Sequence, residues 1–311
     1  MKNITPFMIA LHKELKDKRE IADITASQYI RTLYSLNSEL PFKNLAWLKN
    51  TASVELRLEN YAESSQKTML ATIVSTLSLN KTSSYKKIFA YWYNRMMEKS
   101  NEARNVDSSV KTPKQEKNWL SWDVILGHEK RLEDEVTSIN KPTPADWPTI
   151  LAYMVLCLYT KFSPRRNQDY QFMKVVRTAK QATDKDFNYY VMDTNQFIFN
   201  KYKTADSHGE QIFDVPPELV HSIQLYLKFH PAKSVKPYQF LVLPDGSPLP
   251  SVNSITRILN RIFGRNVGTT MLRHIYLSHK YDVTEMNEDA EKMGHTSGMQ
   301  HEYMKVNVPT I

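Results

Sequence analysis

Glycine is scarce in this chain, with seven residues in 311, and cysteine scarcer still, with Cys157 alone. Neither a GxGxxG nor a GxxxxGK[ST] pattern occurs, so nothing points to a dinucleotide fingerprint or a P-loop. Chemistry that runs without ATP is expected. A single thiol rules out a disulfide framework and any zinc site needing two thiolates. Cys157 sits in the apolar run from Ile150 to Tyr159 and reads as a small buried apolar residue. That run is too short to span a bilayer. The opening stretch, MKNITPFMIALHKELKDKRE, lacks a signal peptide's unbroken apolar core and small-residue cleavage site. An intracellular protein with no membrane partner is expected.

What is present is a globular composition, 41% apolar, in a chain long enough for two cores. Lysine and arginine number 41 against 33 aspartates and glutamates, a formal charge of +8. Such a balance favours a polyanionic partner, nucleic acid first and an anionic membrane surface second.

Residues 1–100 read as helices. Thr25-Ala-Ser-Gln28 has the form of a capping box, with Tyr29, Ile30, Leu33 and Leu36 on one face beyond it. Leu70, Ile73, Val74 and Leu77 repeat the helical period, as do Tyr85, Ile88, Phe89 and Trp92. Residues 99–118 are polar and nearly free of large apolar side chains, which marks a linker or exposed boundary. A helix is expected from about Trp119 to Val136, and an apolar helix from Thr143-Pro144 or Asp146 to near Phe162. Tyr189 to Met192, Gln196 to Tyr202 and Gln211 to Val215 are short β-branched or aromatic runs separated by turns, which predict a small antiparallel sheet. Helical patterns return at Glu218–Phe229, Ser251–Phe263, Thr270–Tyr281 and Glu285–Met293. The fold class expected is mostly α with a small antiparallel β-sheet, in three parts: a helical domain at 1–100, a linker and connecting helix at 101–142, and an α+β domain at 143–311.

Three stretches of the second half place cations where chemistry could use them. In SPRRNQDY (163–170), Asp169 lies three residues after Arg166 and can orient its guanidinium, whose fork suits phosphate oxygens. In NKYKTADSHG (200–209), Lys203 follows a predicted strand and can donate a proton across a groove. In TTMLRHIYLSHKY (269–281), Arg273 lies one turn beyond Thr269 and Thr270, so hydroxyl and guanidinium can share a helix face. His274 and His279 stand five apart, roughly 140° around a helix, which is poor spacing for one metal. Near the end, GHTSGMQHEYMKV carries His295, His301, Glu302 and Tyr303.

Taken in order, Arg166, Lys203, Arg273, His295 and Tyr303 resemble the catalytic boxes of the tyrosine recombinases, or phage-type integrases. MLRHIYLSH looks like the family's His-x-x-Arg helix, and MGHTSGMQHEY like its Gly-His box with the downstream tyrosine. The resemblance spans roughly residues 145–306, and the N-terminal helices are similar to the family's core-binding domain. PRRNQDY, YKT, MLRHIYLS and MGHT…Y are similar in flavour to recombinases of large DNA viruses, virophages and related mobile elements. Thr270 stands where the family usually has histidine. Tyr303 follows His295 by eight residues, where nine is the usual interval.

The resemblance implies a site-specific recombinase that breaks and rejoins double-stranded DNA through a 3′-phosphotyrosyl intermediate, with no cofactor and no metal. Arg166 and Arg273 would clamp the phosphate, Lys203 would act as general acid, His295 and Thr270 would contact the phosphate, and Tyr303 would be the nucleophile. It also implies a homotetramer on two duplexes, working in a host's cytoplasm (a viral factory) or nucleus if the element is viral. Other readings of the residues are a catalytically degraded DNA-binding relative, a metal-dependent nuclease using His295 and His301 with Glu302, and a structural or regulatory helical protein.

Overall fold

The structure is a computed structural model, and it describes residues 4–80, 82–104, 111–232, 237–280, 289 and 292–294. The chain divides into two compact units, Met1–Asp107 and Ser108–Ile311.

The first unit is helical. Its elements are α1 (Pro6–Arg19), α2 (Asp23–Leu36), a 3₁₀ turn (Ala46–Lys49), α3 (Thr51–Leu58), α4 (Glu63–Leu77) and α5 (Ser83–Arg104). Thr5 caps α1 by accepting from the Met8 amide at 3.2 Å, with Pro6 in the first turn where its missing N–H costs nothing. The expected capping box at Thr25 does not form. α2 starts three residues earlier, after Ala22 and without a side-chain cap, and Asp23 supplies the acidic first turn. Leu15, Leu33, Leu36, Leu48, Ile73, Leu77 and Trp92 close the core. Trp92 satisfies its buried indole N–H on the Leu48 carbonyl at 3.1 Å.

The second unit holds α6 (Pro113–Asn118), α7 (Trp122–Thr137), α8 (Trp147–Thr160), α9 (Asn167–Gln171), α10 (Ala205–His208), α11 (Pro217–Phe229), α12 (Ser254–Phe263) and α13 (Thr269–His279). Its strands are β1 (Lys174–Val176), β2 (Tyr189–Val191), β3 (Gln196–Phe199), β4 (Gln211–Asp214) and β5 (Tyr238–Gln239). The polar stretch 99–118 therefore carries the end of α5 and all of α6. A complete capping box, Thr112 with Gln115, starts the latter.

The apolar run around Cys157 becomes α8, buried on nearly every side. α7 lays Ile125, Glu129, Leu132 and Val136 against it, and α11 and α12 also pack on it. Lys161, just past the end of α8, lies 3.3 Å from both Glu129 and Glu133, so the two α7 carboxylates that face the helix are neutralised.

The sheet runs β4-β3-β2-β1-β5. It is mixed, not wholly antiparallel: β1 pairs in parallel with β2, and the other three pairings are antiparallel. The three expected strands form the antiparallel part. The strand pleat splits its faces, so Tyr190, Phe197 and Phe199 join the main core. Val176, Tyr189, Val191 and Ile198 make a second small cluster on the other side.

Candidate active site

α9 is a short helix held in place by its neighbours. Asn167 donates to the Val252 carbonyl (3.0 Å) and to Thr256 Oγ1 (2.9 Å), and Gln171 donates to the Leu249 carbonyl (2.7 Å). Buried Asn188 donates to the Asp169 carbonyl at 2.7 Å, while its Oδ1 accepts the amides of Asn200 and Lys201, each at 2.8 Å. One asparagine thus fixes the start of the β3–β4 connection against α9. That connection carries Lys203, which is exposed on a turn between β3 and α10.

The two adjacent arginines separate. Arg165 is fully buried and pairs with Asp169, Nε to Oδ2 at 2.9 Å. The carboxylate expected behind Arg166 is therefore bound to its neighbour, because four residues on the α9 turn align with Arg165. Arg166 stays half-buried, and its Nη1 reaches the Gly294 carbonyl at 3.4 Å. Thr204 Oγ1 donates to that same carbonyl at 2.5 Å. Gly294 has φ +68°, and a Cβ there would meet Arg165 Nη2 at 3.1 Å and the Tyr202 ring at 3.2 Å.

α13 begins after Gly268, with Thr270 exposed in its first turn and Arg273 only 2% exposed. Burial raises the Asp169 carboxyl above its usual range, opposed by the charges of Arg165, Arg166 and Arg273. The guanidiniums of Arg166 and Arg273, far apart in sequence, therefore act on one buried carboxyl. Arg273 bears likewise on Tyr159, whose phenol burial pushes well up and holds neutral.

Of the six candidate residues, the structure places Arg166 against the Gly294 carbonyl, buries Arg273 on α13 and ties the loop of Lys203 to α9. Thr270 shares the helix of Arg273. His295 and Tyr303 lie outside the described residues, as do Tyr281, His301 and Glu302. Of the two histidines on α13, His274 is half-buried, and His279 stacks on Trp122 with centroids 5.7 Å apart. Among the described residues no helix is long and apolar enough to cross a membrane.

Arg165, Asn188 and Thr204 were not singled out from the sequence. Arg165 had a signal, its four-residue spacing to Asp169. Asn188 and Thr204 act on main-chain groups, which leave no pattern in side-chain spacing.

No family model matches the chain, and no curated protein matches it in sequence. Among solved structures, the crystal structure of XerA recombinase is similar with a TM-score of 0.42 and 12% identity. The alignment covers 96% of this chain and 93% of that one. A likeness of that order speaks neither to activity nor to partners.

Proposed function

We propose that this protein breaks and rejoins double-stranded DNA by transesterification, with Tyr303 as nucleophile. The observation that carries the reading is that Arg166 Nη1 and the hydroxyl of Thr204, the residue next to Lys203, both donate to the Gly294 carbonyl. That carbonyl belongs to the peptide leading into His295, so the Gly-His box starts beside Arg166 and the loop that carries Lys203.

In the proposed reaction the Tyr303 oxygen attacks phosphorus, the bond from phosphorus to the 5′-oxygen breaks, and a 3′-phosphotyrosyl chain remains. A second DNA 5′-hydroxyl reverses the step, so the phosphoester is conserved and no ATP is consumed. Arg166 and Arg273 neutralise charge on the non-bridging oxygens as the pentavalent transition state forms. Lys203, exposed on its turn, delivers a proton to the leaving 5′-oxygen. Thr270 donates a hydrogen bond to the phosphate but adds no charge. A phenol with an unperturbed pKa of about 10 is a weak nucleophile at neutral pH, and neighbouring cations favour its ionised form.

The proposal includes a homotetramer on two duplexes and a mobile element, viral or related, as the setting, with the host cytoplasm or nucleus as the place of action. These rest on the motif pattern alone.

The test is a nicked duplex that traps the covalent intermediate, incubated with the whole chain in EDTA. Protein–DNA adducts that vanish in Tyr303→Phe support the reading. Adducts that need metal, or that persist in Tyr303→Phe, refute the mechanism. DNA binding with no adduct would assign the chain to a degraded relative. Binding should weaken steeply with salt, since phosphate contacts release counterions.

A further inference from the structure

Arg165 is a fully buried charged side chain of the second unit, and the proposed reaction gives it no contact with DNA. Each of its three nitrogens donates a hydrogen bond. Nε donates to Asp169 at 2.9 Å, Nη2 to Gln211 Oε1 at 3.1 Å, and Nη1 to the Lys292 carbonyl. Its face lies 3.8 Å from the centroid of Phe199 and 5.1 Å from that of Tyr202. One planar group thus joins α9, β4, the end of β3 and the turn at 292–294.

Cohesion does not explain such a group. Burying a guanidinium and a carboxylate costs desolvation that their attraction barely returns, and a well-packed apolar pair holds a fold as well or better. What an apolar pair lacks is direction. Five N–H donors in a rigid plane fix the atoms they meet in orientation as well as distance. The Lys292 carbonyl is one of those atoms. Gly294 packs so closely on Nη2 and on the Tyr202 ring that a methyl group would crowd both.

We infer that Arg165 is a positioning residue for the site: it clamps the Lys292–Gly294 turn and thereby sets where the chain enters His295. This rests on the DNA-cleaving reading for its consequence, though the clamp itself does not. Arg165 also occupies Asp169, which leaves Arg166 and its half-exposed guanidinium for a phosphate. The division of labour is that Arg165 orients and Arg166 binds.

The experiment uses the whole chain carrying Arg165→Met and Asp169→Leu together, so that neither member of the buried pair is left facing an apolar partner. The unfolding midpoint should be unchanged or higher. Amide hydrogen exchange, without DNA, should speed about tenfold or more in the peptide covering Lys292–Gly294 and stay unchanged in α8 and β3. DNA affinity should hold, while adduct formation at saturating DNA falls on the order of 10²-fold, the scale of a small misplacement of reacting groups. Arg165→Lys keeps the charge without the fork, and it should show the same local exchange. Unaltered exchange at Lys292–Gly294 in the double variant would overturn the inference. So would a general rise in exchange with a lowered midpoint, which is the mark of a merely structural pair. If the unaltered chain forms no adduct, the DNA-cleaving reading falls, and the exchange result still decides whether Arg165 clamps the turn.

Discussion

Gly294→Ala and Gly264→Ala place the same methyl group on two left-handed backbones, and the structure predicts that they differ. Gly264 ends α12 at φ +61° and ψ 18°, and a Cβ there would meet nothing within 4 Å. Its substitution costs only the backbone term, about 1 kcal/mol. Gly294 has φ +68° and adds a steric term, with Arg165 Nη2 at 3.1 Å and two Tyr202 ring carbons at 3.2 Å. An arginine tip ordinarily gives way cheaply, but this one is pinned to Gln211 at 3.1 Å. The Tyr202 ring is anchored through its hydroxyl to the Gly209 carbonyl at 2.7 Å. Overpacking of that kind costs a further 1–3 kcal/mol, roughly, for a total of about 2–4 kcal/mol. Calorimetry on the whole chain, reading the second unit's transition, should show a drop of about 2–4 °C for Gly264→Ala. Gly294→Ala should lower it two to four times as far by the same approximate scaling, unless the turn peels away locally, when exchange at Lys292–Gly294 rises instead. Equal midpoints with unaltered exchange at that turn would refute the packing argument.

Burial raises the Glu55 carboxyl, but hydrogen bonds from Arg95 and Tyr91 outweigh it and leave the group below its usual range. A depressed carboxylate stabilises the folded state above its unfolded pKa and loses that contribution as pH falls through the folded one. Acid titration of the first unit's unfolding should therefore steepen below the ordinary carboxylate range, and Glu55→Gln should flatten that limb; an unchanged limb would count against the pair. Phe197, fully buried between β2 and β4, should cost about 3–5 kcal/mol as Phe197→Ala in denaturant unfolding. Burial pushes the Cys157 thiol up to about 12, so it should resist alkylation in the folded chain and react only on unfolding. Arg166→Ala should slow adduct formation on the order of 10²–10³-fold while leaving the unfolding midpoint nearly unchanged.

Much of the fold was legible because its signals are local. The unbroken apolar run around Cys157 had to be a helix covered on all sides, and α8 is one. β2, β3 and β4 showed as aromatic and β-branched runs between turns. β1 and β5 did not: β5 has only two residues, too short for a period-two pattern, and β1, as short as β2, lacks the aromatic residues that marked β2. The parallel pairing of β1 with β2 went with them, as it depends on chain ends that no local pattern links. At the site, the order of the boxes pointed to Arg166, Lys203 and Arg273. The choice of partner for Asp169 was not legible, because adjacent arginines three and four residues away are both within reach along a helical turn, and only packing decided for Arg165. Asn188, which ties Lys203's loop to α9, bonds to main-chain atoms and so had no sequence partner to betray it.

The central claim is that Tyr303 becomes covalently joined to the 3′ side of a broken DNA strand. Trapping the intermediate on a nicked duplex, digesting both components and sequencing the modified peptide by mass spectrometry tests it directly. The account predicts one peptide, containing Tyr303, with a nucleotide attached through a 3′-phosphate and formed in EDTA. A 5′-phosphate linkage, attachment at Tyr281 or another residue, or no covalent peptide under conditions where the chain binds DNA would contradict it.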